Sequence, residues 1–529
     1  MSEPVTGPAS AEAGAQASAK APPLPGEVLT RALLGSVFVI AACGLVYELI
    51  AAAASTYLLG DSVTQFSVVI GVYLAAMGVG SYVSKYVTTG LIVRFIDVEL
   101  MIAMLGGFSA AAMFLSFAYA GTGFRVLLYG IVVLVGILVG LEIPLVMRIL
   151  RDRLGFKDLV AQVLTFDYLG ALGVSIAFPL LLAPRLGLIR TAFLFGLMNA
   201  VVAAWAAWVF RDRLGRATGV GARCAVVIAL LLGGFVYSEE LTKLSEDRLY
   251  VDQVVYAESS KAQRIVVTRW RDDWRLYLNG NLQFSSMDEY RYHEALVHPA
   301  LATMPHARRA LVLGGGDGLA VREILKYRNI ESVTLVDLDP AITKLFTESP
   351  AMRALNGNSL NDPKVKVVNA DAFIWLENSR DFFDFVVIDF PDPSNHSLGK
   401  LYTTSFYSLL KRRLSAKGMA VIQSTSPLYA RKSYWCVVTT LEEAGFEVTP
   451  FHALVPSFGE WGFIIASQEP WTPPARYDVP GLRFITPEIH AALLAFPKDM
   501  ERVPTEVNRL NNHALVRYFE SEWRRGPAQ

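Results

Sequence analysis

The sequence predicts a multi-pass α-helical membrane domain followed by a small β unit and an α/β, Rossmann-like domain of the methyltransferase type. Three observations carry that reading. Of 529 residues, 53% are hydrophobic and 18% charged, and mean hydropathy is +0.38. A soluble chain carries about 25% charged residues, so a bilayer must solvate part of this one. Apolar runs of spanning length are confined to the first half of the chain. Beyond them strands alternate with helices, and a glycine-rich turn directly follows an apolar strand, the layout of a parallel nucleotide-binding sheet.

Residues 1–28 are rich in Ala, Pro, Gly and Ser without periodicity and read as a disordered tail. They lack the basic start and short apolar core of a cleaved signal peptide. Residues 29–238 are expected to form a seven-helix transmembrane domain, with helices near 31–55, 64–86, 99–120, 125–147, 160–183, 188–210 and 221–238. Basic residues crowd alternate connections: Lys85 and Arg94, then Arg148, Arg151, Arg153 and Lys157, then Arg211, Arg213, Arg216 and Arg223. The opposite connections carry Arg125, Arg185 and Arg190. The positive-inside rule sets the crowded ends in the cytosol of a cell (inner) membrane. Glu48, Glu142 and Asp167 fall inside apolar runs, where each costs at least about 2.5 kcal/mol unless paired or wet. Either they lie near helix ends or bond to Ser, Thr and Tyr neighbours, or they form a site or path for a cation, an organic one given the acid-rich site on the same chain. Gly78, Gly80 and Ser81 read as close helix packing.

Residues 239–295 read as a small β-strand unit, with Asn279-Gly280 turning a hairpin. Residues 296–470 read as the Rossmann-like domain, and 471–529 as a C-terminal extension. The turn Gly314-Gly315-Gly316-Asp317-Gly318 lies between strand and helix, where glycines admit a ligand close to the backbone. Asp337 ends the next strand at the spacing of an acid that binds ribose hydroxyls. Asp371, Asp389 and Asp392 follow two further strands. Ligands of open α/β sheets lie at carboxyl strand ends, so Asp317, Asp337, Asp371, Asp389 and Asp392 should share one crevice. Such a cluster calls for cationic ligands, although any single Asp there could be a cap. The 48 basic and 48 acidic residues cancel, leaving no global field for nucleic acid. Cys43, Cys224 and Cys436 are too scattered for a disulfide framework or a zinc site, and no metal is expected.

The ordered set Asn279-Gly-Asn-Leu-Gln283, Asp288-Glu-Tyr-Arg-Tyr292-His293-Glu294, the glycine turn, Val336-Asp337-Leu-Asp339, Asp371, Asp389-Phe-Pro-Asp392-Pro and Leu401-Tyr-Thr-Thr-Ser-Phe-Tyr407 resembles the spermidine synthase family of polyamine aminopropyltransferases. The likeness runs from about Tyr250 to Gln468, and Leu45-Val-Tyr-Glu48-Leu resembles the membrane segment fused to some bacterial members. It implies decarboxylated S-adenosylmethionine as co-substrate, putrescine or a related polyamine as acceptor, spermidine and 5′-methylthioadenosine as products, and assembly as a homo-oligomer, a dimer. By position it implies donor binding by Gln263, Gln283, His293, Gly314, Gly316, Asp317, Asp337, Asp371 and Ala372. It likewise implies amine binding by Tyr292, Asp389, Asp392 and Gln423, with Asp389 as catalytic base assisted by Tyr292. The chemistry agrees, since an amine near pKa 10 must lose a proton before it attacks. Three departures bear on the acceptor: Asp337 stands where Glu is usual, Ser394–Lys400 replaces a Gly- and Pro-rich acidic stretch, and Phe458 stands where a substrate tyrosine is expected.

Two other readings share these residues. An S-adenosylmethionine-dependent amine N-methyltransferase would use the same sheet, although Asp317 would repel its donor's carboxylate. A transporter or sensor with an idle synthase-like domain would explain the membrane acids but not the Asp389/Asp392 pair. Seven crossings place the catalytic domain outside, whereas the implied donor is made in the cytosol. The side is therefore left open, leaning to the cytosol.

Overall fold

The computed structural model describes residues 25–59, 62–120, 123–151, 155–214, 219–260 and 262–523. The expected tail lies outside them except for its last residues, which open the first helix. The helical part comprises α1 (Pro25–Leu59), α2 (Ser62–Val83), α3 (Leu91–Ala120), α4 (Phe124–Leu150), α5 (Phe156–Ala177), α6 (Ala183–Val209), α7 (Val220–Val236) and α8 (Ser238–Leu249). Among the described residues five helical runs are long and apolar enough to cross a membrane, or six if α7 and the start of α8, bent by 58°, count as one. One run, Phe156–Val209, is 54 residues long. It is broken at Gly187, inside α6, whose φ of 73° leaves the helical region, so the run divides there into two rods, residues 156–186 and 188–209. α3 starts at Leu91 rather than 99. Arg94 and Asp97 look like loop residues in the sequence, but Asp97 is paired with Arg223 on α7 and is carried inside the helix.

Glycines set the helix spacing. A Cβ on Gly80 would lie 2.0 Å from the Ile137 carbonyl, and one on Gly140 would lie 2.1 Å from the Met77 carbonyl, so α2 and α4 touch backbone to backbone. α3 and α6 meet in the same way at Gly107 and Gly196. Gly78, expected to share this role, faces open space. Lipid tails are as apolar as leucine, so association in a bilayer depends on such van der Waals contact.

After α8 come four antiparallel strands, β1 (Gln253–Ser259), β2 (Arg264–Trp270), β3 (Asp273–Leu278) and β4 (Asn281–Ser285), in chain order. Asn279 and Gly280 turn β3 into β4 with φ of 50° and 81°, the conformation a tight hairpin demands. Helix α9 (Glu289–Leu301) straddles the expected boundary at 295 and packs on the larger sheet. That sheet contains β5 (Arg309–Gly314), β6 (Ser332–Asp337), β7 (Val365–Asn369), β8 (Phe383–Asp389), β9 (Leu414–Gln423), β10 (Glu447–Val455) and β11 (Gly459–Ser467), in the order β10-β11-β9-β8-β5-β6-β7. β7, β6, β5, β8 and β9 are parallel, and β11 and β10 continue antiparallel. Residues 471–523 are integrated with this body. Buried Glu294 of α9 accepts the N–H groups of Arg483, Phe484 and Ile485 at 2.8–2.9 Å, and Glu522 accepts those of Lys432 and Ser433.

Gly140→Val should separate α2 from α4, since overpacking a tight contact costs about 1–3 kcal/mol. Thermal unfolding of the full chain in detergent should show a lowered midpoint, while Gly78→Val, at an open position, should leave it unchanged.

Candidate active site

The strand order reverses between β5 and β8, and an open α/β sheet has its ligand crevice at such a point. Register puts Gly314, the last residue of β5, opposite Asp389, the last of β8. Gly314 has φ of 81°, and a Cβ there would lie 2.2 Å from the Asp389 carbonyl. Gly315 donates its N–H to that carbonyl at 3.2 Å. The turn is thus held against the end of β8, and a Cβ at Gly315 would meet Asp389 Oδ2 at 3.0 Å. Gly318 completes the turn at φ of 75° and opens helix α10 (Leu319–Leu325).

On the far side of the turn, Asp337 Oδ2 accepts the Gly316 N–H at 3.1 Å and Oδ1 accepts the Asp339 N–H at 2.8 Å. Burial raises its carboxyl to about 6, with Asp339 and Asp317 adding to the shift and the two N–H groups opposing it. Asp317 accepts the Leu319 N–H at 2.9 Å, and burial raises it too, although His293 pulls the other way. Gln263 reaches this corner through Asp339, whose Oδ2 accepts its amide at 3.0 Å and the Ser260 hydroxyl at 2.7 Å. Gln283 donates to the Asn281 carbonyl of its own strand at 3.1 Å. Asp371 caps helix α11 (Ala372–Asn378), begun by buried Ala372, through Oδ1. Asp371 Oδ2 pairs with Lys400 at 2.7 Å. Burial alone would raise this carboxyl, but Lys400 and the cap bonds hold it below its usual value. Lys400 lies in the stretch that departs from the family pattern, and nothing in the sequence coupled it to Asp371.

Asp389, the expected base, closes the crevice at the end of β8. Its Oδ1 accepts the Tyr292 hydroxyl at 2.5 Å, while Oδ2 is directed at the glycine turn. Burial raises the carboxyl to about 6, assisted by Asp317 and opposed by His293 and the Tyr292 hydroxyl. Burial raises Asp392 to about 7. Asp392 Oδ2 accepts from Thr425 at 3.3 Å, and its buried Oδ1 has no hydrogen-bond partner. Phe458 meets Tyr292 edge to face and Trp461 at a tilt of 40°, and the rings give this end an aromatic wall. Gln423 is engaged within the protein: Trp461 donates to its Oε1 at 3.1 Å, and its Nε2 donates to the Phe390 carbonyl.

Sequence reasoning missed the frame behind these groups. His293 Nδ1 lies 2.9 Å from Glu289, which Arg322 grips with two bonds of 2.9 Å. Arg322 also bonds Glu323 at 2.9 Å, and Glu323 meets His298 at 2.8 Å. Burial would lower His293, but Glu289, Asp317 and Asp389 outweigh it and raise the imidazole. The i,i+4 spacing of Glu289 and His293 was the one available signal. Arg322 lies in α10, remote in sequence.

A buried carboxylate braced by a phenol, facing a turn that can hold a nucleoside, is the arrangement of a group-transfer enzyme whose acceptor loses a proton. A family model described as the spermine/spermidine synthase domain matches residues 289–474. The chain is 57% identical over 499 residues to polyamine aminopropyltransferase 2 of Ralstonia nicotianae, covering 93% of this chain and 98% of that protein. It is 54% identical over 495 residues to the polyamine aminopropyltransferase of Leptospira interrogans, covering 93% and 99%. A solved spermidine synthase from Thermotoga maritima is 24% identical with a TM-score of 0.43, covering 47% of this chain and 87% of that one. The chain belongs to the polyamine aminopropyltransferase family. Coverage of the first two relatives takes in the helical part as well as the catalytic domain.

Asp389→Asn should lower turnover by about 10²–10⁴-fold, the usual loss for a general base, with little change in donor affinity. In the parent, kcat/KM should fall as pH drops through about 6, because Asp389 must be ionised to accept a proton and its carboxyl is raised to that value. Steady-state rates across pH and donor titration of the variant check both.

Proposed function

We propose that this enzyme transfers the aminopropyl group of decarboxylated S-adenosylmethionine to putrescine or a related diamine, giving spermidine or its analogue and 5′-methylthioadenosine. The observation that carries the reading is the Tyr292–Asp389 bond of 2.5 Å at the strand end that faces the glycine turn. The acceptor amine gives a proton to Asp389, whose Oδ1 is held by Tyr292. Its nitrogen lone pair attacks the methylene next to the sulfonium. The carbon–sulfur bond breaks, its electrons stay on sulfur, and a neutral thioether leaves. Asp337 and the turn suit the ribose, and Asp317, next to His293, suits the donor's ammonium. The unpartnered Oδ1 of Asp392 suits the distal ammonium of the acceptor, with Phe458 and Trp461 along its methylenes. Two cations would repel in water, and the acids lower the cost of bringing them together.

The helical part we read as seven crossings, taking the two rods on either side of Gly187 separately and α7 as the last. Arg148 of α4 donates to the Ser84 and Val87 carbonyls after α2, and Arg223 of α7 meets Asp97 near the start of α3. Those contacts gather the arginine-rich ends at one face of the bundle. Arg190 bonds Ser238 and Glu239 where the chain leaves for the catalytic domain. The positive-inside rule then puts the catalytic domain on the face opposite the cytosol, against the cytosolic leaning taken from the donor's origin.

Chromatography of the products from detergent-purified protein should reveal methylthioadenosine and an aminopropylated amine. S-adenosylhomocysteine, or no turnover with any diamine of three to six carbons, would overturn the assignment. A reporter fused after Gln529 should be active on the outer face only, and cytosolic activity would reverse the topology.

A further inference from the structure

Of the acids expected to form a membrane cation site, Glu48 and Glu142 are buried and Asp167 is partly exposed. The group that faces Glu142 is a fourth acid, Glu99 of α3, which the sequence reading had placed at a helix start. Glu99 is 0% and Glu142 1% exposed, and their carboxyls meet within hydrogen-bonding reach. Two carboxyls can bond only when one carries a proton. Otherwise neither Glu99 oxygen, nor Oε1 of Glu142, has a hydrogen-bond partner. Among the described residues no ion pair reaches either acid. Two further polar groups are buried and equally unpartnered: the Tyr47 hydroxyl on α1, within electrostatic reach of both acids, and the Asn199 amide on α6, about one turn beyond Gly196, which meets Ala103 of α3. Cys43 and Glu48 on α1, Tyr73 on α2 and Asp167 on α5 complete the ionisable groups that act on the cluster. Tyr73 gives its hydroxyl to the Gly44 carbonyl at 2.7 Å.

The helices are closely packed here. A Cβ on Gly106 would lie 2.5 Å from the Tyr47 ring, one on Gly136 2.8 Å from Ala76, and one on Gly44 2.9 Å from Val139. An alkylammonium chain is several ångströms wide and would have to part these helices, whereas a proton needs only the two facing carboxyls. We propose that Glu99 and Glu142, attended by Tyr47 and Asn199, form a proton-binding site inside the helical bundle that exchanges with the surroundings through Asp167. Asp167 on α5 lies near Glu142 and is half-buried, and it is the ionisable group through which we route the exchange. Only a proton moves, from one carboxyl oxygen to another, and no other bond changes. The membrane part then does more than anchor the enzyme, since an unpaired acid pair costs stability that an apolar pair would not.

Infrared difference spectroscopy of the full-length protein in liposomes tests this. The parent should show a protonated-carboxyl C=O band that shifts in D2O and titrates with pH, and Glu99→Gln or Glu142→Gln should abolish it. Asp167→Asn should keep the band but slow its exchange into D2O. Aminopropyl transfer, assayed on the same samples, should be unchanged and reports that each variant is folded. Should a glutamine variant not fold, Glu99→Asp and Glu142→Asp should move the band instead of removing it. A band untouched by substitution at both positions, or an exchange rate unaffected by Asp167→Asn, overturns the proposal.

Discussion

The close approach of Gly314 to Asp389 is the constraint on which the catalytic site depends. A side chain at position 314 would collide with the Asp389 carbonyl, so only glycine lets the donor turn rest on the end of β8. That contact fixes the distance between the turn and the carboxylate without any contribution from the ligand. Orientation of two reactants is worth several kcal/mol when it is set in advance, and the Gly314–Asp389 register fixes the positions of the proposed donor turn and base. Tyr292 reaches the same carboxylate from α9, so the proposed base is held from two independent elements.

Acid crowding is tolerated because each carboxylate has a different partner. Asp339 is a cap and holds Gln263, Asp371 is neutralised by Lys400, and Asp337 accepts two N–H groups. Asp392 keeps its Oδ1 without a hydrogen-bond partner, and Asp389 Oδ2 faces the glycine turn. The two are also raised to about 6 and 7, the range in which a carboxylate can exchange protons near neutrality. Behind them, the His293–Glu289–Arg322–Glu323–His298 chain fixes α9 against α10 with buried charges that compensate one another.

The helical part follows the same logic with other materials. Glycine contacts bring α2 to α4 and α3 to α6 at backbone distance, and this closeness confines polar groups that water cannot reach. Acids that would be costly alone therefore meet one another.

The sequence by itself determined the division into an apolar helical half and an α/β half, the glycine turn, the strand-end acids and the hairpin at Asn279-Gly280. These are local signals: hydropathy over a span, alternation over a strand, and a residue type demanded by one backbone conformation. It also carried the motif that leads to Tyr292, Asp389 and Asp392. Only the tertiary structure decided which acids stay free. The Lys400–Asp371 pair, the Arg322–Glu289 clamp and the Glu99–Glu142 meeting each join residues from separate elements, and no periodicity along one segment encodes such a partner. The start of α3 was misplaced for the same reason, because the arginine that neutralises Asp97 lies on α7, far along the chain.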